Sequence, residues 1–187
     1  MLIFSLIIAC GTPLQRSRSH TSDASTSGDS TISGENYTDS GENHTENHFE
    51  MIGDILEEGS SIEINVHDLV NHHRISQDMS DLVHHSQLMQ LARFHSEAMA
   101  LEDISFGHDG FDERYDKIVS DFDFSVVRVA ENVGYAGIDN AGEDVVGNWL
   151  DSDGHRDNIE GPFHYSGIGS FSIEHRVYVT QIFVRVQ

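Results

Sequence analysis

A chain of 187 residues with one cysteine, Cys10, has to hold its fold without a disulfide of its own. A zinc site built on cysteines is closed to it as well. What remains is packing, and only part of the sequence has the patterning for it. Residues 11–61 are dominated by Ser, Thr, Gly, Asn, Asp and Glu, with apolar residues scattered without period. Such a composition buries too little surface to offset chain entropy and reads as a disordered tether. Residues 62–187 carry periodic apolar positions. A region of about 125 residues buries roughly two thirds of its unfolded surface, enough for a core without cross-links.

The tether contains a near repeat, Ser33-Gly34-Glu35-Asn36-Tyr37-Thr38-Asp39 followed by Ser40-Gly41-Glu42-Asn43-His44-Thr45-Glu46. Two copies make no solenoid, but each holds a glycosylation acceptor pattern, at Asn36 and at Asn43. Fifty flexible residues reach roughly 40 Å, the span of a stalk that lifts a domain off a surface. Residues 1–10 begin with an apolar run too short to cross a bilayer and fit the hydrophobic region of a signal peptide. Ile7-Ile8-Ala9-Cys10-Gly11 resembles the lipobox of bacterial and archaeal lipoproteins, although no lysine or arginine precedes it. That resemblance implies export and a lipid on Cys10.

Charge narrows the partners. The chain has 32 acidic and 10 basic side chains, a formal charge of −22, and Lys117 is its only lysine. Nucleic acid phosphates and anionic lipid surfaces are repelled by such a field, so membrane contact is expected only through the amino-terminal segment. An acidic surface of this kind also fits a protein adapted to high salt, where counter-ions screen the self-repulsion.

Within 62–187 the apolar spacing predicts helices over 62–74, with Ile62, Val66, Leu69 and Val70 inward, and over 87–101, capped by Ser86. His95 falls on the apolar face of the second and is expected to be a hydrogen-bonded core histidine. The doublets His72-His73 and His84-His85 are expected on solvated surface, because adjacent residues diverge. A turn-rich loop, Phe106 to Gly110, leads to a short helix near Asp112–Val119. A strand is predicted over Val126–Ala130, a helix over 142–150 with Asn140 as a cap, and antiparallel strands over 166–172 and 176–186 joined by a turn at 173–175. Helices around a few antiparallel strands argue an α+β domain.

The stretch from Ala130 to Ile159 carries the chemistry. It opens on Glu131-Asn132, passes through Trp149, expected as a packing anchor, and closes on Gly154-His155-Arg156. A carboxylate and an imidazole are thus brought to one region of the fold. Gly154, just after the predicted helix, is expected in the left-handed conformation.

The residues that carry a family resemblance run in order through 62–187. They are Leu69-Val70-Asn71-x-x-Arg74, Ala92-x-x-His95-Ser96-x-x-Met99, Phe106-x-His108, Glu131-Asn132-Val133, Trp149-x-x-Ser152-x-Gly154-His155-Arg156-x-Asn158-Ile159, Gly167-Ile168-Gly169 and Thr180-Gln181-x-Phe183. This set resembles the CAP superfamily, the SCP-like domain of cysteine-rich secretory, antigen-five and pathogenesis-related proteins, and its prokaryotic branch above all. The resemblance implies an α-β-α sandwich with a small antiparallel sheet between helices. It also implies a cleft of two histidines and two acids, of which His108, Glu131 and His155 match three. Ser152 stands where the second acid is expected.

Two functions are open to such a cleft. One is an exported, surface-tethered binding module in which His108, Glu131, Ser152 and His155 receive a small molecule, a lipid or an extracellular protein, with no cofactor required. The other is a metal-assisted hydrolase, peptidase-like, in which His108 and His155 hold Zn²⁺ or another divalent cation and Glu131 takes a proton from bound water. No H-E-x-x-H helix is present. A purely structural alternative has Glu131 accepting backbone bonds at a strand end while the two histidines bond across the cleft. All three readings require residues 108, 131 and 155 to share one groove.

Overall fold

A capping box starts the first helix. Ser60 Oγ accepts from the Glu63 amide at 3.3 Å, and the Glu63 carboxylate accepts from the Ser60 amide at 2.6 Å. Helix α1 therefore spans Ser61–Ser76 and buries Val66 and Val70. In the computed structural model residues 60–122 and 125–187 are described. The amino-terminal segment with Cys10, and the part of the tether holding Asn36 and Asn43, lie outside them.

Strand β1 is Val83–His84 and helix α2 is Ser86–Ala100. Ser86 is the first helical residue rather than the cap. The cap position is His85, which makes no side-chain cap bond. The reason lies in the sheet: the His85 amide donates to the Ser166 carbonyl at 2.9 Å, so extended backbone persists to residue 85 and the helix starts at once. Helix α3, Phe111–Asp121, follows Gly110, and strand β2 runs over Val126–Gly137. That strand is far longer than its β-branched start predicts, because each residue from Arg128 to Gly137 pairs with the last strand.

Helix α4 is Ala141–Asp151. Asn140 occupies its cap position, but its side chain makes no cap bond. Helix α5, Asp153–Ile159, follows where Gly154 is expected to end the preceding helix. Gly154 lies inside it and is not left-handed; among the described residues the positive-φ glycines are Gly107 and Gly110. The end of α5 is held from α1: Arg74 donates to the carbonyls of Ile159 at 2.6 Å and Gly161 at 2.9 Å. Strands β3, Tyr165–Ile173, and β4, Arg176–Val186, form the predicted hairpin.

The sheet has the order β1-β3-β4-β2. It is mixed rather than wholly antiparallel, since the two-residue β1 runs parallel to β3. Strand alternation sends Ala130, Ala136, Val177, Val179 and Phe183 to one face, where they pack with Val66, Val70, Val145 and Trp149. Val129, Ile182 and Val184 go to the other face, with Leu88, Ala92, Phe111 and Ile118. Each fully buried aliphatic side chain stabilises by about 1.5–3 kcal/mol. The result is an α-β-α sandwich, with α1, α4 and α5 on one side and α2 and α3 on the other. Gly167 and Gly169 allow the closeness of α2 to β3, as a Cβ at either would overlap the α2 backbone near Met89 and Arg93.

Candidate functional site

Strand β2 is a sheet edge, so residues from both helical layers can gather around it. Glu131 points into the α2/α3 layer from a position opposite Ile182 and is 1% exposed. It sits within the strand, not at its end, and its carboxylate accepts from side chains. Arg114, in the first turns of α3, donates Nε to Oε2 and Nη2 to Oε1, both at 2.8 Å. His108 Nδ1 lies 2.9 Å from Oε1. The sequence reading missed Arg114. Its one signal is position: it lies six residues past His108 and four past Gly110, at the start of an amphipathic helix.

Arg114 also fixes the loop that delivers His108, donating Nη1 to the Asp109 carbonyl at 2.9 Å. Gly107 at φ 144° and Gly110 at φ 75° bracket that histidine, conformations that favour glycine. Burial alone would push the Glu131 carboxyl up. Hydrogen bonds from His108 and Arg114, with the charges of Arg114 and His95, outweigh burial and hold it below its ordinary range.

His95 approaches from α2, its Nδ1 3.0 Å from Thr180 Oγ1 and 3.9 Å from Glu131 Oε2. It is the hydrogen-bonded core histidine expected, yet it also faces the carboxylate. Burial drives its pKa from 6.5 down to about 4, against the pull of Glu131, so the ring is neutral at pH 7. Ser96 continues the chain of contacts, 2.9 Å from both Thr180 Oγ1 and the Gly169 carbonyl.

The other layer meets the next strand residue. Asn132 Nδ2 donates to the His155 carbonyl at 3.1 Å. Asn158 Nδ2 donates to the Glu131 carbonyl at 3.3 Å and to Asn132 Oδ1 at 3.0 Å. These bonds seat α5 on β2. The buried His155 ring lies 6.5 Å from Trp149, centre to centre. Trp149 is the expected anchor, 1% exposed, its Nε1 donating to the Val133 carbonyl at 3.1 Å. Ser152 is the half-buried residue between α4 and α5 and makes no cap bond. Glu131 and His108 are thus in direct contact, while His155 is tied through its backbone to the residue after Glu131.

Among the described residues, no group of three or more His, Cys, Asp or Glu side chains is arranged to hold a metal ion. Glu131 is poorly suited to a cation for a physical reason. Both its oxygens accept from Arg114, whose positive charge opposes a second cation there. Among the described residues no helix is long and apolar enough to cross a membrane.

Comparison with known proteins places this architecture. The model of the cysteine-rich secretory protein family, CAP, matches residues 67–183. An extracellular protein containing an SCP domain from Bacillus anthracis is 23% identical, over 66% of this chain and 40% of its own, at a TM-score of 0.49. A cysteine-rich secretory protein from Staphylococcus aureus is also 23% identical, over 69% of this chain and 40% of its own, at a TM-score of 0.52. Outer surface protein from Borrelia burgdorferi shares 16% identity, over 68% of this chain and 95% of its own, at a TM-score of 0.57. The chain thus spans about two fifths of the length of the first two. No curated protein matches it.

Proposed function

The chain belongs to the cysteine-rich secretory protein family, CAP, and from that premise we propose that it is an exported binding module displayed on a stalk. Its groove, formed by His108, Glu131, Ser152 and His155, receives a small molecule, a lipid or an extracellular protein. Export through residues 1–10, a lipid at Cys10 and a tether that ends where Ser60 caps α1, one residue short of the expected boundary at 61, would put the domain at a cell surface. The Borrelia neighbour, an outer surface protein by its description, supports that location.

The state of Glu131 carries the choice of binding over hydrolysis. A general base works best with a pKa near the operating pH. This carboxylate is instead held below its ordinary range, buried, with both oxygens on Arg114 and one on His108. Its role is to orient His108 and neutralise Arg114, which presents an imidazole to the groove in a fixed pose. An open depression of about 440 Å³ lies beside the same loop, lined by Met99, Glu102, Asp103, Ile104, Phe106 and Tyr178.

The competing reading, a metal-assisted hydrolase using His108, Glu131 and His155, requires Glu131 to take a proton that its surroundings disfavour. Digestion of a mixed peptide library with and without Zn²⁺ separates the two. The binding module leaves the library intact in both. Zinc-dependent cleavage that is lost in a folded His155→Ala or Glu131→Gln variant overturns it.

A further inference from the structure

The doublet His84-His85 was expected on solvated surface, but both residues are half-buried. His85 stacks on Phe122, with ring centres 4.5 Å apart. His84 turns instead toward His67 of α1. The two rings lie 5.8 Å apart, centre to centre, at 89°. Nε2 of each is buried and makes no hydrogen bond within the protein. Buried polar atoms are rarely left so, and two in one seam ask for something that bonds both.

We propose that His67 and His84 form a two-imidazole site for a divalent transition cation such as Zn²⁺, with water completing the coordination. The site lies at the β1 edge of the sheet, the edge opposite β2 and the groove, and it does not depend on the function proposed above.

Chemistry and geometry agree on the ligand class. Two imidazoles on one tetrahedral ion, each at about 2.0–2.1 Å, have ring centres about 5 Å apart. The observed separation of 5.8 Å is close to that. Asp68 and Asp81 add negative charge around His67, which favours a cation. Nitrogen ligands select Zn²⁺, Co²⁺, Ni²⁺ or Cu²⁺ over Ca²⁺ and Mg²⁺. A bound ion would fasten the two-residue β1 to α1, so it should also stabilise the fold by mass action.

Cobalt(II) titrated into the full chain tests the site through its visible absorption. One equivalent should bind. His67→Gln and His84→Gln should each weaken binding by about tenfold or more, and His108→Gln should leave it unchanged. Nitrogen-15 spectra of the wild-type imidazoles decide the matter without a variant. On adding Zn²⁺, the Nε2 signals of His67 and His84 should move together and before those of the other histidines. Cobalt affinity equal to wild type in both glutamine variants overturns the site. So does loss of binding in His108→Gln, absence of binding at millimolar cobalt, or Nε2 signals that stay in place.

Discussion

Two buried carboxylates are clamped by arginines in this domain, and they serve different ends. Glu63, 4% exposed, receives Arg93 through two bonds at 2.8 and 2.6 Å. It spends the rest of its capacity on backbone amides, from Ser60 at 2.6 Å and Ser170 at 2.8 Å. Glu131, 1% exposed, receives Arg114 in the same bidentate way. It spends the rest on imidazoles, His108 in contact and His95 close by. Backbone donors cannot titrate or move, so Glu63 staples α1 to α2 and β3. Imidazoles can do both, so the contacts of Glu131 can change with pH in a way those of Glu63 cannot. The arginine alone does not mark a site; the remaining partners do.

The largest test of this contrast removes the second carboxylate. Glu131→Ala leaves Arg114, only 12% exposed, without its counter-charge and should cost about 3–5 kcal/mol in denaturant unfolding. A loss under about 1 kcal/mol would show that Arg114 simply rehydrates.

Acid separates the two centres next. His95 has a folded-state pKa of about 4 against an ordinary 6.5. The folded state therefore binds fewer protons, and its contribution is complete above pH 6.5 and is lost as pH falls toward 4. The loss amounts to about 3 kcal/mol. Glu63, with its carboxyl held below 4.5 by Arg93 and the Ser60 and Ser170 amides against the effect of burial, keeps its contribution until pH falls to about 4.5 and so enters only at the acid end of that window. His67 and His85, also lowered by burial, add to the slope. Melts of His95→Gln across the same range isolate the His95 share, and a curve parallel to wild type would refute it.

Glu63→Ala should be milder, about 2 kcal/mol, because Arg93 is 19% exposed and can turn to water. The smallest effect distinguishes the clamps themselves. Arg114→Lys loses the bidentate fork and the bond to the Asp109 carbonyl, at about 1–2 kcal/mol. It should broaden the His108 resonances, whereas Arg93→Lys should leave them sharp.

Much of the scaffold was legible in the sequence, for reasons that can be named. Val66, Val70, Leu88 and Ala92 recur at helical spacing, and all are buried. The β3–β4 hairpin follows its period of two. The failures share one cause, tertiary pairing that overrides local preference. Glu131, Asn132 and Gly134 are poor strand formers, yet β4 draws them into β2. Gly154 reads as a helix terminator, yet bonds to Arg74, Asn132 and Asn158 hold a further helix there. Of the site, Glu131 and His108 stood out by type and order. Arg114 did not, because an arginine on an amphipathic helix looks like solvated charge until the fold turns it inward.

The charge state of Glu131 is the most direct test of the whole account. Carbon-13 titration of its side-chain carboxyl in the intact protein reads that state without a ligand or a variant. The carboxyl should remain ionised until the pH is well below 4.5, the ordinary value. A midpoint between about 6 and 7, the range of a working general base, would contradict it and return the groove to hydrolysis.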